Sequence, residues 1–271
     1  MTFSPVLPAT GYAGWVVLKK TITTQKATFN KSPEIKRDED YFRANIGKVK
    51  TADQLIADRR LLSVALGAFG LDADINNKAF IQKVLTDGTL STTALANKLS
   101  DKQYLKFSAA FGFGDYATPS TQISDFADEI VTAFEARQFE SAVGAQDGDL
   151  RLALNTQREM AVLAGKSSSE TVKWYSVLGN TALKTVFTKA LGLPSSVGSL
   201  DLDRQLELFK TKADAIFGSD SISQFNDPNK VEALIRRYLV LSQLGNVSSA
   251  TSSGSAALSM LQQAASFARQ R

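Results

Sequence analysis

The sequence predicts an all-α protein, a multi-helix bundle or array of short-looped helices with glycine C-caps and no sheet. Three observations carry that reading. Ten glycines (Gly47, Gly70, Gly88, Gly112, Gly144, Gly165, Gly179, Gly192, Gly218 and Gly245) stand where an apolar helical pattern stops, the position at which a left-handed residue closes a helix without a Cβ clash. Start signals answer these stops. Ser32-Pro33, Thr118-Pro119 and Asp227-Pro228 each put a capping side chain before a proline at the first helical position. Apolar residues recur three or four apart (Ile123, Phe126, Ile130, Phe134; Val231, Leu234, Ile235, Tyr238, Leu241), with no convincing alternation of period two over five or more residues.

Taken in order, helices are expected near 12–30 and then 33–46, the second running from Ser32-Pro33 to Gly47. Thr51 through Gln54 has capping-box spacing and opens 51–57; Asp58 caps 59–69, which Gly70 closes. Asp74 and Gly88 bracket 75–87, and Ser91 precedes 92–98. A second capping box, Ser100 through Gln103, opens 101–111, closed by Gly112. Thr118-Pro119 opens 119–143, ended by Gly144, and 148–164 follows with Gly165 at its end. Ser168, Asn180 and Asp201 are N-caps for 169–178, 181–191 and 202–217. Asp227-Pro228 opens 228–244, and a last helix is expected at 256–270. No proline interrupts the intervals from Pro33 to Pro119 or from Pro119 to Pro194, which leaves both free for helix.

Three stops repeat in detail: Ala68-Phe69-Gly70-Leu71, Ala110-Phe111-Gly112-Phe113 and Ala190-Leu191-Gly192-Leu193. With glycine in the left-handed conformation, the following apolar residue folds back towards Leu66, Phe107 or Phe187, the contact of a Schellman cap. The flanking helices match poorly, so recurrent cap chemistry explains the pattern better than a true repeat.

The chain divides into a helical body, 1–246, which can be read as two subdomains meeting near 144–148, a small polar linker at 247–255, and an appended amphipathic helix at 256–271. In that last segment Ala257, Leu258, Leu261, Ala264, Ala265 and Ala268 form a narrow apolar stripe. A helix this short is marginal alone, so it needs a docking surface, either on its own body or on a second chain. Leu258 and Leu261 are therefore candidate partner contacts, and self-association through the terminal helices is one form the contact can take.

The absence of histidine and cysteine from all 271 residues is the strongest exclusion. It removes every triad that needs an imidazole, zinc sites of ordinary composition and disulfides. The hydrophobic fraction of 44% and charged fraction of 21% belong to an ordinary soluble globular protein. No stretch approaches the ~20 apolar residues of a membrane span, and the N-terminus lacks the basic region of a secretory signal. A cytoplasmic location is expected.

Charge is uneven. Residues 1–50 hold nine Lys/Arg against four acids, while the remaining 22 basic and 23 acidic residues nearly cancel. Lys19, Lys20 and Lys26 are candidate partner contacts for an acidic surface. Acids interrupt the basic residues and no aromatic ladder accompanies them, which favours a solvated helix face over a nucleic-acid groove.

Several apparent motifs dissolve on inspection. Gly165-Lys166-Ser167 lacks the glycine a phosphate loop requires five residues earlier, where Met160 stands. Gly112-Phe113-Gly114 through Ala117 follows a helix, not the strand that a dinucleotide fingerprint needs. Asp72 and Asp74, or Asp147 and Asp149, lack the ligand run of a calcium loop and read as helix caps. No metal and no cofactor is expected.

One polar face remains. Arg151, Asn155, Arg158 and Glu159 share one side of helix 148–164, with Glu135, Arg137 and Glu140 upstream. Arg151, Asn155 and Arg158 are candidate partner contacts. The face is either a buried Arg–carboxylate network between helices or, the favoured reading, an exposed ion-pair surface. Trp15 and Trp174-Tyr175 are expected in helix packing, with an interface role as the alternative.

Several stretches together resemble a known family: Tyr41-Phe42-Arg43-Ala44-Asn45-Ile46-Gly47-Lys48-Val49, Asp149 through Asn155 with Arg158-Glu159, Lys173-Trp174-Tyr175, Ala190-Leu191-Gly192-Leu193-Pro194, Asp201 through Glu207, and Gln224-Phe225 with Leu234 through Leu239. The family is bacterial, mainly alphaproteobacterial, and known only as a domain of unknown function, with members often encoded in flagellar gene clusters. The resemblance covers most of 35–245 and carries no catalytic or ligand residue to transfer. It implies a setting in flagellum assembly or motility and, as an alternative location, export through the flagellar apparatus.

These readings converge on a non-enzymatic structural or interaction protein whose partner is another protein, a flagellar component by the resemblance. Two alternatives stand beside it. One is a basic nucleic-acid-binding regulator, whose mark would be steep salt dependence. The other, ranked last, is an enzyme using carboxylate or lysine chemistry in a deep pocket.

Overall fold

In the computed structural model the described residues are 3–245, and among them there is helix and no strand. The α-helices are α1 Gly11–Asn30, α2 Pro33–Asn45, α3 Ala52–Ala57, α4 Arg59–Phe69, α5 Lys78–Asp87, α6 Leu95–Lys98, α7 Gln103–Phe111, α8 Phe126–Gly144, α9 Gly148–Leu163, α10 Glu170–Leu178, α11 Thr181–Ala190 and α12 Leu202–Phe217. A thirteenth, α13, occupies 228–245. The expected all-α class is correct. The linker at 247–255 and the helix at 256–271, with Leu258 and Leu261, lie outside the described residues.

About half of the expected caps act as the sequence predicts, and Ser32 before α2 makes no capping bond. Asp58 accepts from Arg60 N and Leu61 N, Asp147 from Leu150 N, Asn180 from Leu183 N, and Asp201 from Arg204 N. Two of the three repeated stops are Schellman caps: Leu71 N donates to Leu66 O and Leu193 N to Thr188 O, around Gly70 at φ +73° and Gly192 at φ +66°. The third differs. Gly112 is left-handed and its N donates to Ser108 O, a single-bond αL cap, while the Phe113 ring lies 5.7 Å from that of Phe111.

Several expected starts move, some because a distant partner holds the chain and some because a neighbouring residue caps instead. The helix expected from 119 begins at Phe126, since Thr121 Oγ1 and Gln122 Nε2 bond Val49 O and hold Ser120–Gln122 as a 3-10 turn against the Gly47–Val49 corner. Asp74 is engaged by Tyr104 OH at 2.6 Å and by Asn77 Nδ2, so α5 starts at Lys78. Ser91 sits in a loop clasped by Asn97, and only Leu95–Lys98 is helical there. Asp101, not Ser100, caps the start of α7 by accepting from Gln103 N. Likewise Ser169, not Ser168, caps α10. Gly144 and Gly179 do not adopt the left-handed conformation, because their helices run straight on into αR turns.

Helix α8 is the central strut, packed on α4, α9 and α2, and α9 carries α11 and α1 on its other sides. Apolar residues from Trp15 to Leu239 make one contiguous core. Both tryptophans are buried in it. Trp15 lies under α13 and gives its Nε1 hydrogen to Glu232, while Trp174 meets Phe187 and Phe209 edge-on and bonds Asp220 O at 2.7 Å.

Candidate functional site

The polar face of α9 is a buried network, which corrects the expectation of an exposed ion-pair surface. Amphipathic spacing turns Asn155 and Glu159 towards α8, where Arg137 and Glu140 answer them. Arg158 Nε and Nη2 donate to the two oxygens of Glu140 at 2.7 and 3.1 Å, a bidentate pair. Glu159 receives Lys106 from α7 at 2.8 Å, Arg158 at 2.7 Å and Arg137 at 3.2 Å. Asn155, its amide oxygen facing the guanidinium groups, accepts from Arg137 at 3.0 Å and Arg158 at 2.8 Å. Burial alone would raise the Glu159 carboxyl, but the Lys106 charge, then the Arg158 charge, overcome it and hold the group at about 2. The arrangement fixes three helices and leaves Glu159 with no proton to offer.

The network separates two hollows. A groove of about 360 Å³ lies between α7, α9 and α10, with Leu105 and Leu163 in its walls. Val162 and Val172 line it and remain 61% and 51% exposed. A second hollow, about 570 Å³, lies against Arg137, Glu140 and Arg151. A third, about 930 Å³, follows α11 to Pro194 and Leu241. All three share Asp101, the residue that caps α7, so one concave surface runs across the junction of α7, α9, α10 and α11. A fourth hollow of about 320 Å³ lies apart, between Lys19, Phe225 and Ile235.

The candidate contacts divide among different settings. Lys19 pairs with Glu232 at 2.7 Å and holds α1 on α13. Lys20 is exposed with no ion pair among the described residues, and Lys26 stands over the Phe139 ring at 5.7 Å. Asn155 and Arg158 belong to the network. Arg151 is exposed, its side chain has no hydrogen bond or ion pair among the described residues, and it lines the second hollow. Of these residues, Arg151 is thus the one presented to the concave surface with its guanidinium uncommitted.

Two groups escaped the sequence reading. Lys106 belongs to a different helix from its partner Glu159, and no spacing rule links them. Lys173 is buried, with Nζ bonded to Ala164 O at 3.0 Å and to Ser223 Oγ at 2.5 Å. Ser223 in turn donates to Glu170. Glu170 also accepts from Ile222 N at 2.6 Å, and these donors hold its carboxyl at about 2 against burial. The available signal was a lysine beside Trp174 on the apolar side of its helix. This serine–lysine contact ties α9, α10 and the Ile222–Asn226 turn together, and Ser223 lines none of the four hollows.

Among the described residues no group of three or more metal-ligating acids occurs, and no helix is long and apolar enough to cross a membrane.

Comparison with known proteins places the chain in a family. A family model described as a protein of unknown function (DUF1217) matches residues 68–231, more than half of the chain, and the chain belongs to that family. The matched stretch contains the buried network and most of the concave surface, and leaves out Lys19, Lys20 and Lys26. The fold is similar to the X-ray crystal structure of a protein from Agrobacterium tumefaciens, with 26% identity and a TM-score of 0.73, over 90% of this chain and 100% of that one. No curated protein matches.

Proposed function

Starting from that membership, we propose that this chain works by binding a protein partner and not by catalysis, with flagellum assembly or motility as its setting. The observation that carries the reading is the concave surface centred on Asp101, whose rim exposes Val162 and Val172 while the charged groups behind it are already paired. Exposed apolar side chains lining a groove held by a rigid polar frame suit docking of a second protein surface. The chemistry nearby supports the same view. Glu159 is held ionised, the Ser223–Lys173 contact opens on none of the hollows, and Glu39, a carboxyl pushed towards neutrality, lines none of them either. The flagellar setting rests on the family resemblance of the motifs quoted above.

The test is affinity capture from a native lysate, nuclease-treated, with wild type and the double substitution Val162→Asp, Val172→Asp as baits. Both positions are solvent-facing, so the fold should survive, as circular dichroism would verify. The expected result is recovery of flagellar components by wild type and at least tenfold less by the variant, an effect of the size that charges placed in an apolar contact produce. Equal recovery by both baits would refute the surface. Recovery from a parallel untreated lysate that nuclease or moderate salt abolishes would promote the nucleic-acid reading.

A further inference from the structure

The buried network is unbalanced, and its surplus charge faces the groove between α7, α9 and α10. Its cations are Lys106, Arg137 and Arg158; its carboxylates are Glu140 and Glu159. Arg158 takes both oxygens of Glu140, and all three cations share Glu159, so one positive charge has no carboxylate of its own. Lys106 carries that charge outward. Its side chain is 44% exposed and lines the groove, while that of Glu159 is 8% exposed. Two further lysines stand on the same groove. Lys102 donates to Asn97 O and Leu99 O at 2.9 and 2.8 Å, Lys166 is exposed, and neither has an ion pair among the described residues. The groove's other acid, Asp101, sits where α7 begins and accepts from Gln103 N. Between these charges the wall is apolar, made by Leu105, Val162, Leu163, Val172 and Leu183.

We propose that this groove receives an acidic amphipathic helix of a second protein. Two apolar side chains of that helix seat between the valines and leucines, and its carboxylates meet Lys102, Lys106 and Lys166. The inference rests on the docking reading above and names the chemistry of the partner. The volume suits it. About 360 Å³ is more than twice the roughly 150 Å³ cavity that accepts a benzene ring, which leaves room for two large side chains. A helix is the mode that remains. Among the described residues there is no strand edge to extend, and a polyproline ligand needs an aromatic-lined trough. Here the lining has one aromatic ring, Tyr175, whose hydroxyl is bonded to Asp203. Charge selects the sign. The protein has a net charge of +4, so a second copy or a basic partner brings like charge to the three lysines, whereas carboxylates complement them.

A displayed peptide library reads this chemistry before any partner is identified. Random peptides on phage are panned on the wild-type protein and counter-selected on the double substitution Val162→Asp, Val172→Asp. Enriched sequences are then synthesised and their binding followed by fluorescence anisotropy. The expected consensus places two large apolar residues one helical turn apart with Asp or Glu beside them. Such a peptide should bind the double variant about tenfold or more weakly. Lys166→Glu should weaken it about threefold or more, the effect of one solvent-exposed ion pair lost and its sign reversed. The Lys166 side chain makes no bond among the described residues, so the fold should survive, as circular dichroism would verify. Enrichment of basic or uncharged peptides, no enrichment over the counter-selection, or binding indifferent to Lys166→Glu would overturn the proposal. A dimer in sedimentation that the double variant dissociates would overturn it in favour of a second copy. The two readings fail separately: a basic or neutral consensus, with capture still lost in the double variant, leaves the docking surface standing and removes only the acidic partner.

Discussion

Replacing Glu39 by glutamine should stabilise the protein at alkaline pH and leave it nearly unchanged at pH 4.5. Glu39 projects from α2 into the contact with α8 and is 4% exposed. Its Oε1 has no donor, and the carboxyl faces Glu135, which also accepts from Asn30 Nδ2. Arg43 reaches Glu39 Oε2 at 3.4 Å but spends its better bond, 2.8 Å, on Asp128. Burial, then the hydrogen bond and charge of Glu135, push Glu39 up to about 7 from 4.5. A group whose folded value is raised in this way binds its proton more tightly in the native state, so stability falls as pH rises from about 4.5 to 7, and the loss persists above. At about 1.4 kcal/mol per unit the displacement corresponds to roughly 3 kcal/mol at most. Solvent near Glu135 and the partial compensation by Arg43 reduce this to on the order of 1–2 kcal/mol. Glutamine keeps a donor for Glu135 and an acceptor for Arg43 without the charge. Thermal denaturation followed by circular dichroism should put the variant about 2–6 °C above wild type at pH 8, with the two curves converging at pH 4.5. A difference that is the same at both pH values, or a variant less stable at pH 8, would refute the raised Glu39 carboxyl.

Other outcomes follow from the same geometry. Glu159→Ala leaves Lys106, Arg137 and Arg158 short of their common partner and should cost about 3–5 kcal/mol in urea denaturation. Because wild-type Glu159 is held at about 2, its contribution is present above the ordinary carboxylate range and lost as pH falls through about 2; Glu159→Gln should flatten that acid limb. Gly70→Ala, at φ +73°, should cost about 1–2 kcal/mol. Gly148→Ala, at the first position of α9 with nothing within 4 Å of its added Cβ, should instead stabilise by about 0.4–1 kcal/mol. Trp174→Ala removes a fully buried ring and its bond to Asp220 O, and should cost about 3–5 kcal/mol.

Local chemistry was legible in the residues. The caps at Asp58, Asp147, Asn180 and Asp201 act within three residues of themselves, and a left-handed glycine satisfies the carbonyls just behind it, so such signals survive in any fold that keeps the helix. The displaced starts show where that logic ends. Thr118-Pro119 carries a sound start signal, yet Thr121 and Gln122 find acceptors in the Gly47–Val49 corner, more than seventy residues away. A long-range hydrogen bond in a buried corner outweighs a propensity worth a fraction of a kilocalorie.

The candidate site was half legible for the same reason. Helical periodicity placed Arg151, Asn155, Arg158 and Glu159 on one face, because a period of 3.6 is a property of the helix alone. Whether that face met water or another charged helix depended on α8 lying alongside and on Lys106 arriving from α7, and neither is encoded in spacing along α9. The sequence by itself therefore determined the class of fold, the locally capped helix ends such as those at Asp58, Asn180 and Gly70, and the exclusion of imidazole and thiol chemistry. Only the tertiary structure decided which charges are buried, that Glu39 faces another carboxylate, and that three hollows join at Asp101. Those outcomes depend on distances between groups far apart in the chain, and burial and Coulomb energy are set by those distances and not by residue type.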